Sequence, residues 1–467
     1  MATRVQERGA PGRDDSGPPA GLASRWPQIV ATSLGFGVVQ LDVSVVNVAI
    51  KPIGDALGGG TSALQWVVSA YTVVFAALIL TSGALGDRIG AKRVFVAGFA
   101  IFTTASMACG LAPSLGVLIA ARAIQGVGAA ALVPCSLALL THAFPDAAER
   151  AKAVGLWAAG ASTGLAGGPL VGGILTQAFG WRAIFFINLP IGLVAIWLTL
   201  TRMAETPRTA RRGLDLAGQA AAIVTLAALA AAVIEGGARG FDQPLVLAGF
   251  LATAIAAALF LTVERRRTDP MLPLALFRSV TFSASTAIGL VVNVGFYGLI
   301  FLLSLWFQGP KGYTALQTGL AFAPSTVAVV AANLLTGRIV ARIGPVAVMI
   351  AGSLLMAVGY GALLVVGDHT AFAALVVQLV VVGFGLGLVV PSMTTELLGS
   401  VETTRSGLAA GTLNTARQTG SVLGVALFGA FVAGGLVHAL DLALVLALAL
   451  SLAAAALAEG IRRAEDR

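Results

Sequence analysis

The feature that most constrains this chain is a series of long apolar stretches that recurs along nearly its whole length. Many of them exceed the about 20 residues that an α-helix needs to cross a hydrocarbon core about 30 Å thick. Backbone polar groups in lipid must pair internally, so the stretches must form helices or barrel strands. Because they are too long and too continuous for the alternating pattern of barrel strands, they predict an all-α polytopic membrane protein.

The composition agrees with this interpretation and excludes other classes. Apolar residues make up 57% of the 467-residue chain and charged residues 11%, against about 25% charged in soluble domains. A net charge of +8 would suit nucleic-acid binding, but the Lys and Arg residues sit between the apolar stretches, as the positive-inside rule predicts. We therefore expect a lipid bilayer and no nucleic acid as partner. The two cysteines lie in apolar runs, and no Cys or His spacing predicts a metal site.

The apolar stretches predict fourteen membrane-spanning helices. We place them at about residues 27–50, 64–85, 94–112, 115–141, 150–175, 181–201, 215–236, 243–263, 280–308, 315–341, 346–366, 371–398, 405–432 and 435–457. This divides the chain into a disordered cytoplasmic tail (1–26), a six-helix bundle (27–201), a linker with two extra transmembrane helices (202–279), a second six-helix bundle (280–457) and a cytoplasmic tail (458–467).

The distribution of basic residues tests this assignment. If the N-terminus is cytoplasmic, 23 of the 29 Lys and Arg residues fall in cytoplasmic segments, and only Lys51, Arg182, Arg239 and Lys311 fall on the other side. One helix more or fewer would destroy this asymmetry downstream, so both termini are predicted to be cytoplasmic. Only four of the basic residues are lysines, and this bias is typical of a bacterium with a GC-rich genome. We expect a multi-pass protein of a bacterial cell membrane.

A short internal repeat indicates two related halves. Residues Gly83 to Gly90 and Gly337 to Gly344 share their Gly, Arg and Gly positions at a constant offset of 254 residues. Six helices with their loops need about 200 residues and two further helices about 50 more, so the offset fits two six-helix halves separated by a helical hairpin. Parallel repeats of this kind place a substrate site near the membrane midplane, between the halves.

Asp42 and Arg122 are charged residues inside predicted spans, where charge is costly and usually functional. Asp42 is in the first helix, and burial favours the neutral form of a carboxyl group, so Asp42 is a candidate to gain and lose a proton. Arg122 is in the fourth helix; it stays charged and needs a carboxylate, for which Asp42 is a reasonable partner. The alternative for both residues is a static structural ion pair or hydrogen bond.

Two further motifs have residue patterns that are more specific than membrane topology alone requires. The loop between helices 2 and 3 carries Gly83, Asp87, Arg88, Gly90, Lys92 and Arg93. Its glycines allow a tight turn, and its acid can pair with a base or cap a helix. Helix 5 carries Gly155, Gly164, Gly168, Pro169, Gly172 and Gly173. Glycines at four-residue spacing form a smooth face for close packing, and proline bends a helix.

Together, these four motifs resemble those of the major facilitator superfamily, and within it the fourteen-span drug:proton antiporters. The resemblance covers about residues 27–457. It implies the major facilitator fold, with two six-helix bundles plus two extra helices, acting as a monomer and driven by the proton gradient without a bound cofactor. It also implies proton-coupling roles for Asp42 and Arg122. The loop would be a latch that holds the outward-open state, and helix 5 would be the signature of exporters.

Further polar residues within the predicted spans are candidates for the substrate path. Because contact between a polar side chain and lipid is energetically unfavourable, they are expected to face the bundle interior. The alternative for each is an interhelical hydrogen bond of structural use only. The candidates are Asn47, Gln125, Asn293, Asn333, Gln378, Asn414, Arg417 and Gln418.

The predicted function is proton-coupled export of amphipathic small molecules, cationic or neutral, such as drugs or antibiotics. One alternative keeps the fold and changes the cargo to a lipid, a siderophore, an amino acid or a self-made metabolite. A more remote alternative is a membrane sensor or scaffold that transports nothing. An enzyme is not expected, because no Ser/His/Asp set, metal cluster or phosphate-binding loop is present in the sequence.

Overall fold

The computed structural model describes residues 25–208, 215–267, 270, 272–365, 372–402, 406–432 and 435–465. The first bundle comprises α1 (Trp26–Leu57), α2 (Thr61–Ile89), α3 (Ala91–Gly110), α4 (Leu115–Ala143), α5 (Ala147–Phe179), α6 (Ala183–Phe186) and α7 (Asn188–Arg202). A hairpin of α8 (Leu216–Arg239) and α9 (Pro244–Arg266) follows. The second bundle comprises α10 (Val280–Gln308), α11 (Ala315–Ile343), α12 (Pro345–Leu363), α13 (Phe372–Gly399), α14 (Ser406–Phe431) and α15 (Leu436–Glu465).

Some predicted features lie outside the described residues. They include nearly all of the predicted N-terminal tail, part of the linker and the last two residues. The basic residues Arg4, Arg8, Arg13, Arg211, Arg212, Arg405 and Arg467, which contribute to the predicted charge asymmetry, lie there as well.

The helices confirm an all-helical membrane protein, while fourteen spans stay a prediction. Twelve helical segments among the described residues are long and apolar enough to cross a membrane, with α6 and α7 counted together. The bent helix α5 makes thirteen. Helix α14 is 26 residues long, but Asn414, Arg417 and Gln418 make it too polar to meet the same criterion. It nevertheless packs between other spans, because it contacts α10 on one side and α2 on another.

Proline accounts for the two breaks within the first bundle. Helix α5 bends by 41° between its segments Lys152–Leu165 and Gly167–Phe179. Pro169 has no N–H group to pair with the carbonyl of Leu165, so the helix opens at that turn. Pro190 likewise cannot pair with the carbonyl of Phe186, and the chain breaks between α6 and α7 at Ile187.

The two bundles repeat the same helix pairings. Helix α1 packs mainly on α5, as α10 packs on α14, and α4 packs on α2 and α3, as α13 packs on α11 and α12. The last helix of each bundle, α7 or α15, contacts the first and third helices of its bundle. This recurrence places the internal sequence repeat at equivalent positions of two similar bundles.

The repeated sequence motif has the same backbone conformation in both bundles. Helix α2 ends at Gly90, where φ is +106°, and helix α11 ends at Gly344, where φ is +80°. The N–H groups of these glycines donate to the carbonyls of Gly86 and Val340, each at 2.9 Å. Because a left-handed residue closes each helix, glycine is required at both positions.

The bundles meet along two seams, one between α5 and α11 and the other between α2 and α14. At the first seam, a Cβ atom on Gly173 would lie 2.8 Å from the Ala315 carbonyl oxygen. At the second, the Gln65 amide donates to the carbonyls of Val425 and Ala426, at 2.9 Å each. The bundles therefore approach each other at backbone distance on both sides of the interface.

Helix α8 covers the seam between α2 and α14. Its Gln219 bonds with Thr81 and donates to the Ala77 carbonyl at 2.8 Å. Near its other end, Glu235 accepts from Ser62 at 3.1 Å, and Gly237 packs directly on Ala430 of α14. The hairpin is thus bound to both bundles through α8, whereas α9 packs chiefly on α8 and faces outwards.

The glycines of α5 predict a position-dependent cost of substitution. Gly164 packs against the backbone of Gly37 in α1, whereas a Cβ atom on Gly155 would meet nothing within 4 Å. We expect Gly164→Val to destabilise the detergent-solubilised protein by about 1–3 kcal/mol through overpacking, which thermal unfolding can measure. Gly155→Val is the matched control in the same helix. Equal losses of stability for the two variants would contradict close packing at Gly164.

Candidate functional site

A buried ion pair lies at the centre of the first bundle. Arg122 of α4 donates from Nη1 to Oδ2 of Asp42 in α1, and their side chains are 1% and 0% exposed, respectively. Arg122 also donates from Nε to the Val67 carbonyl of α2 at 3.1 Å and from Nη1 to Gln125 Oε1 at 2.8 Å. Its guanidinium carbon lies 4.3 Å from the ring centre of Tyr71, within range of a cation–π contact.

Amide groups complete the shell of the Asp42 carboxylate. Oδ1 accepts hydrogen bonds from Gln125 Nε2 at 2.9 Å and from Asn188 Nδ2 of α7 at 3.1 Å. Asn188 also donates to Ser106 of α3 at 3.0 Å. With Arg122, three donors therefore converge on one carboxylate.

The cluster pairs one buried acid with one buried base. Removing either charge leaves the remaining one buried and uncompensated, which is strongly unfavourable. The pairing of these two charges therefore depends on the relative positions of α1, α2, α4 and α7.

A small cavity lies between the bundles, on the face of α1 that the ion pair does not occupy. Its volume is about 30 Å³, room for one or two water molecules. Its lining mixes aromatic, aliphatic and hydroxyl groups: Ser44, Asn47, Leu165, Pro169, Phe296, Tyr297, Ile300, Phe322, Ser325, Thr326 and Val329. A mixed apolar and hydroxyl lining suits amphipathic molecules, but a molecule of drug size requires the bundles to separate.

The structure places some predicted substrate-path residues at the interface and others elsewhere. Asn47 lines the cavity, and Asn333 of α11 donates across the interface to Ser162 of α5 at 3.2 Å. Gln125 belongs to the shell of the ion pair instead. Asn293 and Asn414 each donate to a carbonyl of their own helix.

The remaining candidates have polar atoms that are buried and unsatisfied among the described residues. Gln378 and Gln418 each have a side-chain oxygen that accepts no hydrogen bond there, and Arg417 has an Nε that donates none. Whether any of these residues binds substrate stays a prediction.

The predicted latch loop connects elements of the first bundle and its linker. The backbone N–H groups of Lys92 and Ala91, at the start of α3, donate to Glu205 Oε1 and Thr206 Oγ1, at 2.9 Å each. Lys92 Nζ donates to the carbonyls of Leu200 and Met203 at the end of α7, at 3.1 and 2.7 Å. An acid thus lies at a helix N-terminus and a base at a helix C-terminus, where each charge interacts favourably with the helix dipole.

The other latch residues are arranged around this contact. Arg93 Nε lies 3.7 Å from Glu205 Oε2, Gly90 is packed against the Glu205 carboxylate, Asp87 is half-buried and Arg88 is exposed. The expected role in holding an outward-open state stays a prediction.

The glycine helix serves two different interfaces. Gly164, Gly168 and Gly172 face α1, whereas Gly173 faces α11 of the other bundle. The carbonyl of Pro169 contacts Gly319, also in α11. The motif therefore fixes α5 against its own bundle and against the partner bundle at once.

Sequence reasoning missed two residues of these clusters. Asn188 was visible as a polar residue within an apolar run, the same signal that marks Asn47. Glu205 follows the end of a span in a polar linker, where nothing in the sequence connects it with the start of α3. Its position depends on tertiary packing alone.

Two six-helix bundles with a charged pair inside the membrane domain are typical of a membrane transporter. Residues 32–425 and 286–465 match the Major Facilitator Superfamily. The chain belongs to this superfamily.

Comparisons with individual proteins agree. The chain is 38% identical over 413 residues to the multidrug resistance protein Stp of Mycobacterium tuberculosis, covering 88% of this chain and 77% of Stp. It is 38% identical over 402 residues to the methylenomycin A resistance protein of Streptomyces coelicolor, covering 86% of this chain and 84% of the relative. The crystal structure of the human organic anion transporter MFSD10 has the same fold, with a TM-score of 0.65, 17% identity and coverage of 94% and 100%.

The ion pair predicts strong coupling between its two members. We expect Arg122→Gln to destabilise the protein by about 3–5 kcal/mol, because Asp42 is left buried without its partner. Adding Asp42→Asn to this variant should restore much of the loss. Unfolding of both single variants and the double variant in detergent gives the interaction free energy. Strictly additive losses would show that the two side chains do not interact.

The contact of Glu205 with α3 predicts a smaller and local effect. Glu205→Ala removes the acceptor at the start of α3 and should cost about 1 kcal/mol, with faster hydrogen exchange in the first turn of that helix. Glu459→Ala is the control, because its pairs with Arg462 and Arg463 involve well-exposed partners and should contribute little. Unchanged exchange at Lys92 in Glu205→Ala would rule out the capping role.

Proposed function

We propose that this chain is a proton-coupled antiporter that exports amphipathic small molecules, including drugs or antibiotics, by alternating access of its two bundles. The proton gradient drives it, and no bound cofactor takes part. It acts as a monomer in a bacterial cell membrane, with fourteen spans and both termini cytoplasmic. Export is the favoured direction, because a transporter confers resistance by lowering the internal concentration of a toxic compound, and the relatives named above are resistance proteins.

The observation that carries the proposal is the sealed cluster around Asp42. The carboxylate of Asp42 has no exposed surface and is held by Arg122, Gln125 and Asn188. If the cluster were only structural, apolar side chains could fill its place at a lower free-energy cost. A site that binds and releases a proton, in contrast, requires an ionisable group. Because the cluster joins four helices, protonation of Asp42 would release contacts that position α1 and α4 relative to each other.

Asp42→Asn is expected to abolish export driven by a pH gradient. The assay is uphill transport of a fluorescent dye by purified protein in proteoliposomes with an imposed pH gradient. Asp55→Asn is the matched control, because Asp55 lies on the same helix in an exposed pair with Lys51; it should retain wild-type transport.

A second variant separates loss of coupling from loss of fold. The double variant Asp42→Asn/Arg122→Gln removes both buried charges and is expected to be better folded than either single variant. It should also lack transport driven by the pH gradient. Normal uphill transport by either variant carrying Asp42→Asn would refute the role of Asp42.

A second candidate keeps the fold and narrows the cargo to one self-made antibiotic. The similarity to a protein named for resistance to a single antibiotic favours it. A susceptibility panel distinguishes the two: a multidrug exporter protects an overexpressing strain against several unrelated compounds, whereas a dedicated exporter protects against one. An uncoupler should abolish protection in both cases.

A further inference from the structure

The second bundle contains a half-buried cation, Arg417, for which the described residues provide no counter-ion. Arg417 lies near the middle of α14, and its Nε is buried without a hydrogen-bond partner among the described residues. The ion pairs found there do not include it, in contrast to Arg122. The Cγ atom of Arg417 packs against Gly289 of α10. The phenol of Tyr297, in the same helix as Gly289, interacts electrostatically with the guanidinium.

The position of Arg417 connects it with the interface between the bundles. Tyr297 lines the cavity between the bundles and bonds with the side chain of Gln40 in α1. Arg417 therefore neighbours a phenol group that lines the cavity. On α14, which also forms the seam with α2, Asn414 and Gln418 flank Arg417, and the Gln418 side-chain oxygen is buried and unpaired as well.

The charges in the middle of the described membrane domain do not cancel. Asp42 and Arg122 neutralise each other, so Arg417 leaves one positive charge in the middle of the described membrane domain. A cation without a counter-ion inside a membrane domain is costly, and that cost is offset when an anion enters. A cationic molecule would be repelled at the same place, which argues against the cationic substrates expected from the sequence.

We propose that Arg417 is the recognition residue for an anionic group, such as a carboxylate or sulfonate, on the exported molecule, with Tyr297 and Gln418 as neutral hydrogen-bonding neighbours. This proposal rests on the function proposed above and names its substrate class: amphipathic anions with an apolar body. The guanidinium suits the role because its planar donors match a carboxylate in a bidentate fashion.

The test uses two dyes that share a three-ring xanthene core and differ in charge, fluorescein (anionic) and rhodamine 123 (cationic). Binding to the purified full chain in neutral detergent is followed by fluorescence polarisation, without a proton gradient and without anionic lipid. The wild-type protein should bind fluorescein more tightly than rhodamine 123. Arg417→Gln should weaken fluorescein binding at least tenfold and leave rhodamine 123 unchanged or improved, while Arg417→Lys should lie between the wild type and Arg417→Gln. Arg338→Gln, at an exposed arginine of α11, is the control and should change neither.

Stability provides an independent readout. Removing a cation that has no partner should leave the melting temperature unchanged or raised, whereas removing one member of a structural ion pair would lower it. A lower melting temperature with equal weakening of both dyes would overturn the proposal, as would absence of fluorescein binding by the wild type. Because binding needs no gradient, these outcomes are separate from the result for Asp42→Asn, which tests proton coupling alone.

Discussion

The arrangement of the first bundle depends on one buried ion pair in a region without water to solvate it. The carboxylate of Asp42 and the guanidinium of Arg122 must satisfy each other and their remaining hydrogen-bonding groups from within the protein. They do so with groups from α2, α4 and α7. Four helices are therefore fixed relative to one cluster of side chains.

Close helix packing makes this cluster possible, because small residues bring the backbones together around it. Gly164, Gly168 and Gly172 place α5 directly on α1, the helix that carries Asp42. Gly126 and Gly128, in the same helix as Arg122, contact the backbones of α2 and α3. Lipid offers no hydrophobic driving force between helices, so such close contacts supply much of the association energy. The charged cluster and the glycine faces thus depend on each other.

Much of this was predictable from the sequence, for identifiable reasons. Long apolar runs have one structural solution in lipid, so the helices and their order followed directly. The partnership of Asp42 with Arg122 also followed, since each buried charge needs an opposite one. The internal repeat predicted equivalent turns, and Gly90 and Gly344 adopt the same left-handed conformation.

What could not be predicted depends on contacts between distant parts of the chain. Glu205 caps α3 from a polar linker, and no local pattern marks such a contact. Asn188 and Gln125 are both amides in apolar helices, but only their three-dimensional positions show that both serve Asp42. For Arg417 the sequence indicated a charge in a span, whereas the missing counter-ion became apparent only from its surroundings. The sequence thus identifies polar and charged residues whose burial is unfavourable, whereas the tertiary structure shows which partners, if any, compensate for that burial.

Helix α8 breaks the two-fold equivalence of the bundles in a way that bears on access from the bilayer. In a pair of similar bundles, the two seams are equivalent, and lipid reaches both. Here α8 lies over the seam between α2 and α14, and the described part of the hairpin makes no extensive contact with the seam between α5 and α11. The hairpin therefore covers the interface between the bundles at one seam and leaves it uncovered at the other, along the helix that Pro169 bends. Any rocking of the bundles must also break contacts of α8 with α2 or with α14, so the hairpin adds resistance to opening at its own seam.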